Sequence, residues 1–223
     1  YTMGNYAYYP FVGNGDDYGP NDYDAAIVGA SLCSDRFGNT NSAYDFSGNS
    51  YGVAEPISTT SAVSFSAWVK PNEQDDWGYV ICKGKYLTPE TYSLVVAEPT
   101  SRAQARICVG DDYIIAESDE ALAIGEWSHI AGVYDGEKLL LYVNGVIEDQ
   151  VFVSGTLYQN NYPLYFGVDY GNWNSDWDGG IDDVLICDWA MSQEEIASLV
   201  PEPMTAILLS LSGISLLRRR RGF

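Results

Sequence analysis

Leu139–Val143 and Val146–Val153 are two apolar runs joined by Asn144-Gly145, and that joint constrains the fold more than any other part of the chain. Asn-Gly accepts positive φ at both central positions of a type I′ turn, whose twist matches two antiparallel strands. A hairpin follows. Ser64-Phe65-Ser66-Ala67-Trp68-Val69-Lys70 alternates small or polar with apolar residues, the period of a half-buried strand. Further strands are expected at Tyr6–Phe11, Ala25–Leu32, Tyr79–Lys83, Tyr92–Ala97, Ala103–Val109, Tyr113–Ala116, Trp127–Tyr134, Leu164–Val168 and Ile181–Trp189. Many short strands separated by turns predict an all-β, two-sheet antiparallel sandwich. One short helix is expected at Ser192–Leu199, opened by Ser192 as N-cap with Glu195 three positions on, the capping-box spacing. No repeat or linker divides residues 1–200, which read as one domain; residues 201–223 form a tail.

Within residues 1–200 lie 7 basic and 30 acidic side chains, in a chain of formal net charge −20. Such a surface repels nucleic acid and anionic lipid, so neither is expected as a partner. The chain is 46% hydrophobic and 14% aromatic, too apolar to stay disordered.

Several segments carry a family resemblance. Asp35-Arg36-Phe37-Gly38-Asn39, Phe65 to Pro71, Gly125-Glu126-Trp127-Ser128-His129-Ile130-Ala131 and Leu141 to Gly145 resemble the concanavalin A-like, laminin G-like jelly-roll family. Gly180-Ile181-Asp182-Asp183-Val184 and Ala190 to Ile196 resemble its closing strand and helix. The likeness implies two antiparallel sheets of six or seven strands each, with the first and last strands close together and Trp68 and Trp127 buried.

Catalytic residues are not expected. His129 is the single histidine, and the resemblance makes it a packed strand residue. Glu117-Ser118-Asp119-Glu120 lacks the interleaved apolar residues that would set two carboxylates in a glycosidase cleft, and the resemblance places it in a loop. The reading is therefore a non-catalytic domain that binds a polysaccharide or a surface protein. A glycoside hydrolase of the same fold and a purely structural matrix protein are the alternatives.

Asp182 shares strand parity with Val184 and Ile186, so its carboxylate is expected to face inward, where it needs a partner. The resemblance brings the acidic loop Asn14–Asp24 near the closing strand and implies a structural calcium there. Asp17, Asp24 and Asp182 are its candidate ligands; ordinary turns and amide caps are the competing explanation. The loop Tyr170–Trp177 is the candidate binding surface, with Trp173 as the stacking ring and Asn172, Asn174 and Asp176 for hydroxyls. The resemblance makes Trp177 a packing residue. Cys33, Cys82, Cys108 and Cys187 allow three pairings; Cys82–Cys108 with Cys33–Cys187 is preferred, and free buried thiols are equally open.

The tail has three parts: Pro201-Glu202-Pro203, then Met204–Leu217 without charge, then Arg218, Arg219, Arg220 and Arg221. Fourteen helical residues span about 21 Å, short of the roughly 20 residues of a free-standing membrane helix. Arginine stems extend the span by snorkelling, and the positive-inside rule places them in the cytoplasm. This order resembles the bacterial PEP-CTERM sorting tail. That resemblance implies transient inner-membrane insertion, recognition by an exosortase, and release to the envelope or extracellular matrix. Export also requires a signal peptide, which is not evident before Tyr6 and is expected to precede Tyr1.

Overall fold

The computed structural model describes residues 4–73, 78–172 and 175–200. Fifteen strands form two antiparallel sheets among these residues. The first sheet runs β13 (Val146–Phe152), β12 (Lys138–Val143), β11 (Ser128–Tyr134), β6 (Val63–Pro71), β15 (Gly179–Cys187), β4 (Ala43–Asp45) and β3 (Ser31–Cys33). β1 (Tyr6–Tyr9) also pairs with β15. The second sheet runs β10 (Asp112–Ala121), β9 (Arg102–Val109), β8 (Tyr92–Ala97), β7 (Gly78–Lys83), β14 (Leu164–Phe166), β5 (Tyr51–Ala54) and β2 (Ala26–Val28). The jelly-roll sandwich expected from the strand pattern is the fold observed.

Alternate residues of each strand supply the core between the sheets. Phe65 of β6 stacks on Tyr92 of β8 at 5.0 Å, and Tyr9 of β1 meets Phe166 of β14 at 5.0 Å. Each such ring, fully buried, contributes about 1.5–3 kcal/mol. Gly132 makes room for Phe65, because a Cβ there would lie 2.4 Å from the ring. Trp68 and Trp177 are buried, whereas Trp127 is only half-buried, with its ring edge over Gly180.

Local sequence sets three features. Asn144 and Gly145 have φ of 49° and 79°, and Val143 faces Val146 across the turn, as a type I′ hairpin requires. Gly145→Val is expected to destabilise by about 1–2 kcal/mol, since an L side chain resists this region; an unchanged melting temperature would remove the assignment. The helix α1 (Gln193–Ser198) carries the full reciprocal capping box of Ser192 and Glu195. Gly29, with φ of 78°, splits the expected strand Ala25–Leu32 into β2 and β3 on different sheets.

β15 departs most from expectation. Its register against β6 slips between Asp182 and Leu185, and Asp183 takes φ of 46°. The extra residue is a bulge that reverses parity. Ile181 and Val184 both join the core, and Asp182 points outward beside Trp68, not inward. The bulge also divides the other edge of β15: Gly180 and Ile181 pair with β4, and Val184 to Cys187 pair with β1.

The four cysteines are free. β8 separates Cys82 from Cys108, and β4 separates Cys33 from Cys187. Strands two positions apart lie about 9.5 Å from each other, beyond the roughly 4.4–6.8 Å a disulfide spans between Cα atoms. The preferred pairing is therefore corrected. Glu117–Glu120 lies within β10, not in a loop. Among the described residues no helix is long and apolar enough to cross a membrane. The tail helix 204–217, Pro201, Glu202, Pro203 and Arg218 to Arg221 lie outside the described residues.

Candidate functional site

The outer face of the second sheet collects charged and aromatic side chains. Odd and even positions of a strand face opposite ways; in β9 the core takes Ala103, Ala105 and Ile107, which leaves Gln104 and Arg106 on the outside. Both are buried there. Arg106 donates to Gln104 Oε1 through Nε at 2.8 Å, and to the hydroxyls of Tyr79 at 3.1 Å and Tyr113 at 3.4 Å. Glu90, in the loop before β8, accepts from Tyr79 at 2.9 Å and from Ser93, with Tyr113 at 3.3 Å. Gln104 passes the network to Glu117 on β10. Burial, then the charge of Glu90, pushes the Tyr79 hydroxyl far above its ordinary range, so it stays a donor.

A tyrosine cluster adjoins this network. Tyr165 and Tyr170 stack at 4.8 Å and 8°, and Tyr51 meets Tyr170 edge-on at 5.8 Å. The chain then turns through Asp169–Asn172. Asn172 donates its amide to the Asp169 carbonyl at 2.9 Å, and its side chain to Ser175 at 2.7 Å. Asp169 is buried, and its Oδ1 has no partner. Burial, then the nearby charge of Glu90, raises its pKa to about 7, partly offset by Arg106. The proposed ligand residues Asn172 and Asp176 thus stand, half-buried, at the margin of this face. Trp173 and Asn174 lie outside the described residues.

Of the residues expected to hold calcium, Asp17 and Asp24 are joined in one loop, and Asp182 is bonded to other groups. Asp17 accepts from the backbone amides of Tyr8 at 2.8 Å, Gly19 at 2.7 Å and Tyr23 at 3.1 Å. Asp24 accepts from the Asp17 amide at 2.9 Å. Asp182 lies elsewhere: its Oδ1 takes the Asp183 amide at 2.8 Å, and its Oδ2 meets Arg36 Nη1 at 3.3 Å. Tyr8 spans the gap, its amide on Asp17 and its hydroxyl on Asp183. Among the described residues no group of three or more acidic, cysteine or histidine side chains is placed to hold a metal ion. These carboxylates serve backbone amides and an arginine.

Sequence reasoning passed over Arg36, Arg106 and Glu90. The available signal was scarcity. With seven basic residues in the domain, an arginine at an alternating position of an apolar strand, as in Ala105-Arg106-Ile107, marks a built polar cluster.

The model of the concanavalin A-like lectin/glucanases superfamily matches residues 46–197. No curated protein sequence matches the chain. Among solved structures, domain 4 of AbnA, a GH43 extracellular arabinanase from Geobacillus stearothermophilus in complex with arabinotriose, superposes with a TM-score of 0.74. It is 18% identical, over 87% of this chain and 97% of that one. The binding domain of botulinum neurotoxin DC, in complex with SialylT, gives 0.67 at 11% identity, over 89% and 51%. The binding domain of Paraclostridial Mosquitocidal Protein 1 gives 0.66 at 15%, over 83% and 48%. The chain spans about half of each toxin binding domain.

Proposed function

Because the chain belongs to the concanavalin A-like lectin/glucanases superfamily, we propose that it binds a polysaccharide through the outer face of its second sheet. The observation that carries this reading is the junction of the Tyr51–Tyr165–Tyr170 cluster with the Glu90–Arg106 network. Tyrosine rings offer flat apolar surfaces for sugar faces, the buried Glu90–Arg106 network holds the sheet face rigid behind them, and the half-buried Asn172 and Asp176 suit hydroxyls. Neighbours of the same fold were solved with arabinotriose or SialylT, which supports a glycan ligand. Asn172 and Asp176 edge this face, and Trp173 and Asn174, next to them in the sequence, belong to the same proposal. A chain of net charge −20 favours neutral glycans over acidic ones. A glycan array tests the proposal, with Tyr170→Ala and Trp173→Ala as variants. Loss of one stacking ring, worth about 1 kcal/mol, should weaken binding about fivefold in each. Glycans bound equally by both variants would move the site elsewhere.

The enzymatic alternative has one observation in its favour: Asp169 is raised to about 7 beside a second carboxylate, Glu90, the pattern of a general acid. Against it, both Glu90 oxygens are taken by Tyr79, Ser93 and Tyr113, and Asp169 Oδ1 is sealed from solvent. Binding without hydrolysis is the reading these contacts support.

Delivery to the envelope or extracellular matrix by an exosortase, through Pro201 to Arg221, belongs to the same proposal. The mature protein, weighed from hosts with and without the sorting enzyme, should lose its tail only in the first; an intact tail in both refutes sorting.

A further inference from the structure

α1 covers only part of the outer face of the first sheet. It packs on the cluster of Ala131, Val133, Leu140 and Tyr142, with Ile196 as its buried contact. β13, the edge strand, continues that face. Ile147 stands opposite Tyr142, Gln150 opposite Leu140 and Phe152 opposite Lys138, and opposed residues of a ladder share a side. Ile147 is 41% exposed and Phe152 74%. These two leave an apolar strip on an edge strand, a place that folded proteins cover or charge.

The chain leaves the described residues at one end of this strip. A Cβ on Gly145 would lie 3.7 Å from Val200 Cγ2 and 3.5 Å from Ala197 Cα, so α1 runs out against the Asn144-Gly145 turn, next to Ile147. Pro201-Glu202-Pro203 separates Val200 from Met204–Leu217, fourteen residues without charge. Prolines just past a helix end cannot continue it and suit a reversal of direction. As a helix, fourteen residues span about 21 Å; β13 covers about 17 Å from Ile147 to Phe152. The far end of the strip is acidic. Glu137 takes the Val153 amide on its carbonyl at 3.0 Å, and the Asp135 amide donates to the Lys138 carbonyl at 3.3 Å, which sets both carboxylates beside Phe152. Burial, then the charges of Asp135 and Glu194, raises the Tyr142 hydroxyl above its ordinary range, so the first turn of α1 adds Glu194 to this end. All three acids are exposed, with Lys138 among them.

We propose that residues 204–217 dock as a helix along the outer face of β13, antiparallel to α1, and bring Arg218–Arg221 to Asp135, Glu137 and Glu194. The start, the length and the terminal charge of the tail each match the strip. A second copy of the chain, at net charge −20, brings a surface of the same sign and is repelled. The docked tail is shielded from water by its own domain, and a bilayer must compete with β13 for it. The inference uses only the apolarity and charge of the tail, and it holds whether or not an exosortase acts there.

The test puts the photo-cross-linking residue p-benzoylphenylalanine in place of Phe152 in the full chain, in buffer without detergent, and finds the joined peptide by mass spectrometry. The position is exposed and the replacement keeps the ring, so the fold is not at stake. The expected product has the mass of one chain, with its cross-link inside residues 204–217. Its yield should fall about tenfold when Leu208→Asp and Leu211→Asp are added, since a charge is costly against an apolar face. Cross-links joining two chains overturn the proposal in favour of self-association through β13. Cross-links confined to residues 1–200, or none, overturn it by showing the strip bare. A yield unchanged by the two aspartates also overturns it, because chance collisions of an undocked tail give that result.

Discussion

Arg36→Ala is expected to lower stability by about 3–5 kcal/mol, the cost of leaving a buried carboxylate without its counter-charge. Arg36 is the sole salt-bridge partner of Asp182 and Asp183 among the described residues, and it also fills the space between Trp68 and Phe37. The loss should depend on pH. Burial, then the charge of Asp183, raises the Asp182 pKa to about 7, against the pull of Arg36. A carboxyl whose folded pKa exceeds its unfolded value of about 3.9 contributes stability below that value, which is lost as pH rises towards the folded one. Removing Arg36 pushes the folded value higher still, so the deficit of the variant should be larger at pH 8 than at pH 5. Denaturant titrations at both pH values measure it. Adding Asp182→Asn to Arg36→Ala should recover part of the loss at pH 8, as contacting residues are non-additive. Equal deficits at both pH values would show that packing on Trp68, not charge, is what Arg36 provides.

Asp17→Ala is expected to cost about 3 kcal/mol or more. Three backbone amides, of Tyr8, Gly19 and Tyr23, donate to this one buried carboxylate. Each amide left without an acceptor costs about 1–3 kcal/mol, less where water reaches it. Asp17→Asn should cost less: Oδ1 would still serve Tyr8 and Gly19, while its new NH₂ group would face the Tyr23 amide. The shift in denaturant midpoint at constant m separates the two variants. Equal losses would mean that the loop is not held by amide capping at this residue.

Much of the sandwich was legible because its signals are local. The Asn144-Gly145 turn, the Ser192–Glu195 capping box and the strand at Ser64–Lys70 each act within a few residues and are found in place, although that strand is buried on both faces rather than one. The readings that failed depended on long-range register. Parity put Asp182 in the core, and a one-residue bulge turned it out. Cys82 and Cys108 looked like neighbours until β8 came between them. Trp127 resembled a buried family position but sits half-exposed at the edge of Gly180. The candidate binding face was least legible, since Glu90, Tyr79, Arg106 and Tyr113 come from a loop and three strands. No spacing in the sequence connects them.

The pairing of β1 with β15 has a kinetic consequence. Tyr6 faces Cys187, and closing a loop of about 180 residues costs about 5 kcal/mol of chain entropy before the contact returns anything. Topologies dominated by such distant pairs fold slowly. A chain emerging from its N-terminus at a ribosome can join Tyr6–Tyr9 to the loop around Asp17, but it holds this strand without its sheet partner until Gly179–Cys187 has arrived. β6 waits too, because β15 is one of its two neighbours. A nascent chain lacking Gly179–Cys187 is therefore not a smaller sandwich but an open sheet edge that invites foreign strands. Chaperone binding during this interval should fall abruptly once β15 emerges, whatever the length of chain already made.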